Sequence, residues 1–191
     1  MDNLEPNIFY SPQFSSNAFV VHPGEFFISD KQDIMIITIL GSCVAACIRD
    51  TEKKIGGLNH FLLPGSADKD SGSNRFGTYA MEQLINEILK KGGKRENLEV
   101  KVFGGASLLS SHFDVGKRNI DFIREYLRIE NLKITSEDLG GTQARRIHYW
   151  PGSGKILRLI ISSETKNIID KEKVYQNKVG NSLVGDVELF N

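Results

Sequence analysis

The stretch from Ile34 to Ile48 is the most apolar in the chain, and it constrains the fold more than any other feature. Ile34 to Leu40 is rich in β-branched residues, Gly41-Ser42 interrupts the run, and Cys43 to Ile48 resumes it. A nearly continuous apolar run of this length reads as a strand buried on both faces, here followed by a second one. The stretch is short for a membrane span, contains Thr38, Gly41 and Ser42, and is bounded by Asp33 and Arg49, so no transmembrane segment is read. Asp50 to Lys54 is a polar turn, and Gly56 to Leu63 is the next strand, stopped by Pro64-Gly65. Cys43 and His60 therefore fall on neighbouring strands of a hairpin, where both can project toward one pocket.

Elsewhere the pattern alternates between strands and helices. The first twenty or so residues carry Pro6, Pro12 and Pro23 and read as an extended arm; Glu25 to Ser29 is a short strand. Gly65 to Asn74 is a polar loop. Met81, Leu84, Ile85, Ile88 and Leu89 fall on one helical face, with Lys90-Lys91 suited to the C-terminal dipole and Gly92-Gly93 as the stop. Leu98 to Phe103 is a strand leading into Gly104-Gly105. A second helix covers Val115 to Ile129, with Asp114 as its N-cap and Ile120, Ile123 and Leu127 on one face. Strands follow at Lys133 to Ser136, Ala144 to Trp150 and Lys155 to Ser162, the last two joined through Gly152-Ser153-Gly154. Six to nine strands and two main helices predict a mixed α/β domain with helices packed on a twisted sheet. The organisation expected is an N-terminal arm (1–24), one domain (25–163) and a polar tail (164–191).

Charge and cysteine usage narrow the function classes. The chain has 24 Lys+Arg and 24 Asp+Glu, so its net charge is zero, and neither nucleic-acid binding nor a polybasic membrane patch is expected. Two cysteines, Cys43 and Cys47, do not make a disulfide framework, and the first residues lack the basic and apolar regions of a signal peptide. The expected location is the cytoplasm.

Leu40-Gly41-Ser42-Cys43 places a thiol directly after a Gly-Ser break in a strand. Glycine permits the bend that exposes a nucleophile, and amides near Gly41, Ser42 and Cys43 are candidates for holding an oxyanion. His60, after Gly56-Gly57-Leu58-Asn59, is the candidate proton acceptor, because a free thiol near neutral pH is only slightly ionised. Thr38 is the candidate for orienting the imidazole, as a lone polar side chain in an apolar strand. Each of these residues alone is more often structural: a buried Cys is usually an inert small hydrophobe. A zinc site from Cys43, Cys47 and His60 is conceivable but lacks a fourth ligand and the usual spacing. Cys47 reads most simply as core. His22, His112 and His148 carry no motif, Gly104 to Ser107 reads as a tight turn, and Glu137-Asp138 as a solvated loop.

At this point the chain resembles the CheD chemoreceptor glutamine deamidases. The resemblance rests on Leu40 to Cys47, Ile55 to Pro64, Arg75 to Met81, Lys101 to Ala106, Val115 to Asn119 and Glu137 to Thr142, in that order, covering roughly Glu25 to Ile161. It implies a three-layer α/β sandwich whose domain (25–163) is CheD-like, with Cys43 as nucleophile, His60 as base and Thr38 as orienting residue. Gly41, Ser42, Asn59, Arg75 and Phe76 are expected to hold the oxyanion or the substrate. Thr78 and Ser107 depart from residues common in the family and bear on substrate preference. The resemblance implies deamidation of glutamine side chains on methyl-accepting chemotaxis receptors through a thioester, with slow methyl-ester hydrolysis and no metal or organic cofactor. A CheC-type phosphatase is the implied partner. The competing readings are a regulatory binding module in which Cys43 is structural, and a cysteine peptidase.

Overall fold

Apolar continuity and apolar alternation assign the strands to different layers. The computed structural model describes residues 8–63, 73–108 and 115–161, together with 170 and 174. Among these, ten strands form two five-stranded sheets. The first contains β1 (Phe9–Ser11), β2 (Ser16–Val20), β4 (Ile34–Leu40), β9 (Ala144–Trp150) and β10 (Lys155–Ile161), in the order β1-β2-β4-β9-β10. The second contains β3 (Phe26–Ser29), β5 (Val44–Asp50), β6 (Gly56–Phe61), β7 (Leu98–Gly104) and β8 (Ile134–Leu139), in the order β3-β6-β5-β7-β8. Only β2–β4 and β7–β8 pair in parallel among the described strands, so both sheets are mixed.

The sheets stack face to face, and two helices, α1 (Ser73–Lys90) and α2 (Val115–Ile129), cover the far side of the second sheet. β5 is central and buried on both faces, which is why its sequence is nearly all apolar. Val44, Ala46 and Ile48 face the helices, packing with Met81, Leu84 and Ile88 of α1 and Ile123 and Leu127 of α2. Cys43, Ala45 and Cys47 face the first sheet, packing with Ile36, Leu40, Ile147 and Tyr149. Each fully buried Leu or Ile here contributes about 1.5–3 kcal/mol of transfer free energy. The result is a mixed α/β fold, a sheet–sheet–helix sandwich with the three layers that the resemblance implies.

The helices stop where their sequences say they should. Gly92 turns left-handed at φ +95° after α1, and the Gly93 N–H donates to the Ile88 carbonyl. After α2, Asn131 takes the left-handed conformation (φ +53°), and Leu132 N–H donates back to Leu127.

The structure departs from the sequence reading in two places. Residues 9–20, read as part of an extended arm, supply β1 and β2, and Ala18 is fully buried in the first sheet. Glu137-Asp138, read as a solvated loop, lies in β8, because this polar strand joins the sheet edge by parallel pairing with β7. Asp138 there meets the buried Arg145 at 3.0 Å and Arg158 at 3.2 Å. The loop expected from Gly65 lies outside the described residues up to Gly72, and Ser73-Asn74 open α1. Asp114, His112 and, apart from Asp170 and Val174, the tail after Glu164 also lie outside the described residues.

Candidate active site

The two stacked sheets bring Thr38 and His60 together from different layers. Side chains alternate along β4, so Ile34, Ile36, Thr38 and Leu40 share the face turned toward the second sheet. On β6, Leu58 and His60 point back at them. Thr38 Oγ1 lies 2.8 Å from His60 Nδ1 and 2.8 Å from the Val21 carbonyl oxygen. A hydroxyl has one hydrogen, and a carbonyl can only accept. Thr38 therefore donates to Val21 and accepts from His60, which places the neutral imidazole's proton on Nδ1 and the lone pair on Nε2. The β2–β3 connection also grips the histidine backbone: Gly24 N–H donates to its carbonyl at 2.7 Å, and its N–H donates to Glu25 at 3.0 Å.

Cys43 shares this inter-sheet face. Ala45 stands opposite His60 in the antiparallel β5–β6 register, and Cys43 precedes Ala45 by two residues on the same face. Cys43 and His60 are thus diagonal cross-strand neighbours, a relation that spaces backbones by about 7–8 Å and lets side chains meet. Both are fully or almost fully buried, at 0% and 2% exposure. His60 Nε2 makes no hydrogen bond among the described residues.

The Gly41-Ser42-Cys43 turn is held through its three carbonyls. Ala106 N–H donates to Gly41 at 2.7 Å, Asn119 Nδ2 donates to Ser42 at 2.8 Å, and Gly105 N–H donates to Cys43 at 2.7 Å. This grip needs backbone against backbone. Gly104 sits at φ +113°, and a Cβ there would lie 2.1 Å from the Cys43 carbonyl oxygen. A Cβ at Gly116, on α2, would lie 2.5 Å from the Gly105 carbonyl oxygen.

Other expected site residues fall elsewhere. Asn59 points to the helix side of the second sheet, away from the Cys43 face: its Oδ1 accepts from Ala46 N–H at 3.0 Å, and its Nδ2 donates to the Ala80 carbonyl at 2.9 Å. The alternation of β6 puts it opposite His60, so its place is in the core and not beside the thiol. Arg75 is exposed and Phe76 half-buried on the first turns of α1, in the helix layer. The helix packs there through Gly77, where a Cβ would meet Phe122 at 2.4 Å and Leu63 at 2.9 Å. Val21 and Asn119 were not singled out from sequence. The Val21 contact is made by a backbone carbonyl and leaves no side-chain signal. Asn119 does leave one: it is an amide within the buried stripe Gly116, Asn119, Ile123, Tyr126 and Leu127.

Burial holds the Cys47 thiol protonated and the His60 imidazole neutral. Cys47 is pushed far up by burial, with Lys101 only partly opposing, so it is an inert thiol. His60 is lowered to about 3, chiefly by burial, against the opposing hydrogen bond to the Val21 carbonyl and with nearby His22 lowering it further. Its resting form is the neutral imidazole, a base with an available lone pair. Among the described residues no group of three or more His, Cys, Asp or Glu is arranged to hold a metal ion.

Comparison with known proteins bears on the same segments. The family described as "CheD chemotactic sensory transduction" matches residues 62–158. A probable chemoreceptor glutamine deamidase CheD from Janthinobacterium sp. (strain Marseille) is 44% identical over 198 residues, spanning 100% of this chain and 97% of that protein. The protein so named from Herminiimonas arsenicoxydans matches to the same extent. That from Rhodopseudomonas palustris (strain BisA53) is 45% identical over 185 residues, or 94% of this chain and 87% of its own length. The family match begins after Cys43 and His60, whereas the full-length relatives span both.

Proposed function

Because the chain belongs to the CheD family, we propose that it hydrolyses glutamine side chains of chemoreceptors to glutamate, with Cys43 as nucleophile, His60 as general base and acid, and Thr38 as the residue that orients the imidazole. The observation that carries this reading is the Val21–Thr38–His60 chain, which leaves Nε2 unprotonated and, among the described residues, without a hydrogen-bond partner on the face shared with Cys43.

The reaction follows from that proton inventory. The Cys43 S–H proton passes to Nε2 as sulfur attacks the carboxamide carbon, and the carbonyl π electrons move to oxygen. The Ser42 and Cys43 amides supply the stabilising donors. The tetrahedral intermediate re-forms its carbonyl and expels ammonia, which takes the proton from Nε2. Water, deprotonated by Nε2, then attacks the thioester carbon. The thiolate leaves and regains that proton, and the carboxylic acid product loses its remaining proton to solvent as a carboxylate. A glutamate methyl ester enters by the same first step with methanol as leaving group, so a slower esterase activity belongs to the proposal. Because burial disfavours the imidazolium, His60 rests neutral and becomes protonated only during attack. A buried sulfur also requires local opening before the substrate reaches it.

The substrate class comes from the relatives' names, and a CheC-type phosphatase enters the proposal from the family resemblance alone. A cytoplasmic location fits this substrate, and among the described residues no helix is long and apolar enough to cross a membrane. The test is to incubate the purified chain with a receptor cytoplasmic fragment and to follow ammonia together with the mass of each receptor peptide. The expected result is ammonia release matched by amide-to-acid conversion at glutamines, both abolished in Cys43→Ala. Peptide-bond cleavage would favour a peptidase, and ammonia release by Cys43→Ala would remove the nucleophile from the account.

A further inference from the structure

We propose that Asn119 is a positioning residue for the oxyanion donor: its carboxamide fixes, from behind, the peptide group that joins Ser42 to Cys43. The inference rests on the deamidase reading above and deepens it.

Three observations lead to it. Asn119 is fully buried, at 0% exposure. Its two ends serve two segments of the site at once: Nδ2 donates to the Ser42 carbonyl, in the turn before β5, at 2.8 Å, and Oδ1 accepts from Leu63 N–H, just past β6 and three residues beyond His60, at 2.9 Å. Third, α2 is seated so that this reach is fixed, since Gly116 rests against the Gly105 and Ala106 carbonyls.

Peptide planarity turns this contact into chemistry. In a trans peptide the C=O and the following N–H lie in one plane and point in opposite directions. Anchoring the Ser42 carbonyl on the Asn119 side therefore aims the Cys43 N–H the other way. Donation to the carbonyl oxygen also polarises that peptide and strengthens its N–H as a donor. The neighbouring carbonyl of Gly41 is fixed by Ala106 N–H, which sets the Ser42 N–H by the same logic. Only a short carboxamide offers a donor and an acceptor on one rigid planar group at this reach. A carboxylate keeps the acceptor for Leu63 and loses the donor to Ser42.

The variant that tests this is Asn119→Asp in the full chain, with Asn119→Ala as a second, uncharged variant. Turnover of receptor fragment is compared with the rate of Cys43 alkylation by iodoacetamide, a displacement that forms no oxyanion. The expected result is a fall in kcat on the order of 10- to 100-fold with KM little changed. Alkylation, measured per folded molecule, should stay within about threefold, since thiol reactivity depends on its own ionisation and access. Unchanged kcat in either folded variant overturns the proposal. So does a parallel loss of turnover and alkylation in both, which marks a merely structural residue. If the unaltered chain releases no ammonia, or Cys43→Ala still does, the deamidase reading fails instead, so the two failures are distinguishable.

Discussion

At the scale of single residues, the site is a question of where one proton sits. In the proposed mechanism His60 accepts a proton at Nε2, which needs its own proton kept on Nδ1, next to a hydroxyl whose hydrogen is committed to the Val21 carbonyl. Thr38→Val keeps the shape and removes the acceptor, so deamidation of receptor fragment should fall by roughly 10- to 100-fold. Thr38→Ser keeps the hydroxyl and should retain most of the activity. Equal activity in the two variants would show that the hydroxyl does not orient the imidazole. Cys43, His60 and Thr38 stand out in the sequence as candidates, because each breaks a local pattern: a Gly-Ser gap, a Gly-Gly strand, a polar residue among isoleucines. Asn59 breaks a pattern too, yet it points the other way. Alternation within a strand can be read only once it is known which face is which, and β6 is buried on both.

At the scale of elements, the Gly41-Ser42-Cys43 turn depends on close contact between backbones. Gly104 lies against the Cys43 carbonyl and Gly116 against that of Gly105, so β7, the following turn and the start of α2 hold the thiol's chain without contributing a reactive group. Gly104→Ala meets both a positive φ and a contact of 2.1 Å with backbone. It should cost about 2–4 kcal/mol in a denaturant melt and lower activity further than the loss of folded protein explains. A variant with native stability and activity would show that the turn does not need this approach. The sequence revealed β4, β5, β7, α1 and α2 well, because buried runs and helical periodicity are local signals. It concealed β1, β2 and the second half of β8 beyond Ser136, whose pairing is supplied by distant partners: β2 joins β4 in parallel, and β8 joins β7. Polar or proline-marked segments carry little periodicity of their own, so tertiary pairing decides their state.

At the scale of the whole molecule, sealing the His60 imidazole between two sheets costs acid stability. His60 is neutral in the folded chain down to about pH 3, while in the unfolded chain it binds a proton below its ordinary value of 6.5. The unfolded state then holds more protons, so stability is fully present above pH 6.5 and is lost as pH falls below it, by at most about 1.4 kcal/mol per unit from this group. His148, also lowered by burial, adds in the same direction. Urea midpoints between pH 6.5 and 5, before carboxylates protonate, should therefore decline with acid, and His60→Gln should flatten that slope. An unchanged slope would mean that His60 is not buried neutral. The three-layer arrangement also explains how chemistry distant in sequence converges: Thr38 comes from one sheet, Cys43 and His60 from the other, and Asn119 from the helix layer beneath. The most direct test of that convergence is to quench a reacting mixture of protein and receptor fragment in acid and map its covalent adducts by mass. A receptor acyl group on the peptide carrying Cys43 and Cys47, retained in Cys47→Ala and lost in Cys43→Ala, is the predicted result. Glutamine conversion that proceeds at full rate without any acyl adduct in Cys43→Ala would contradict it.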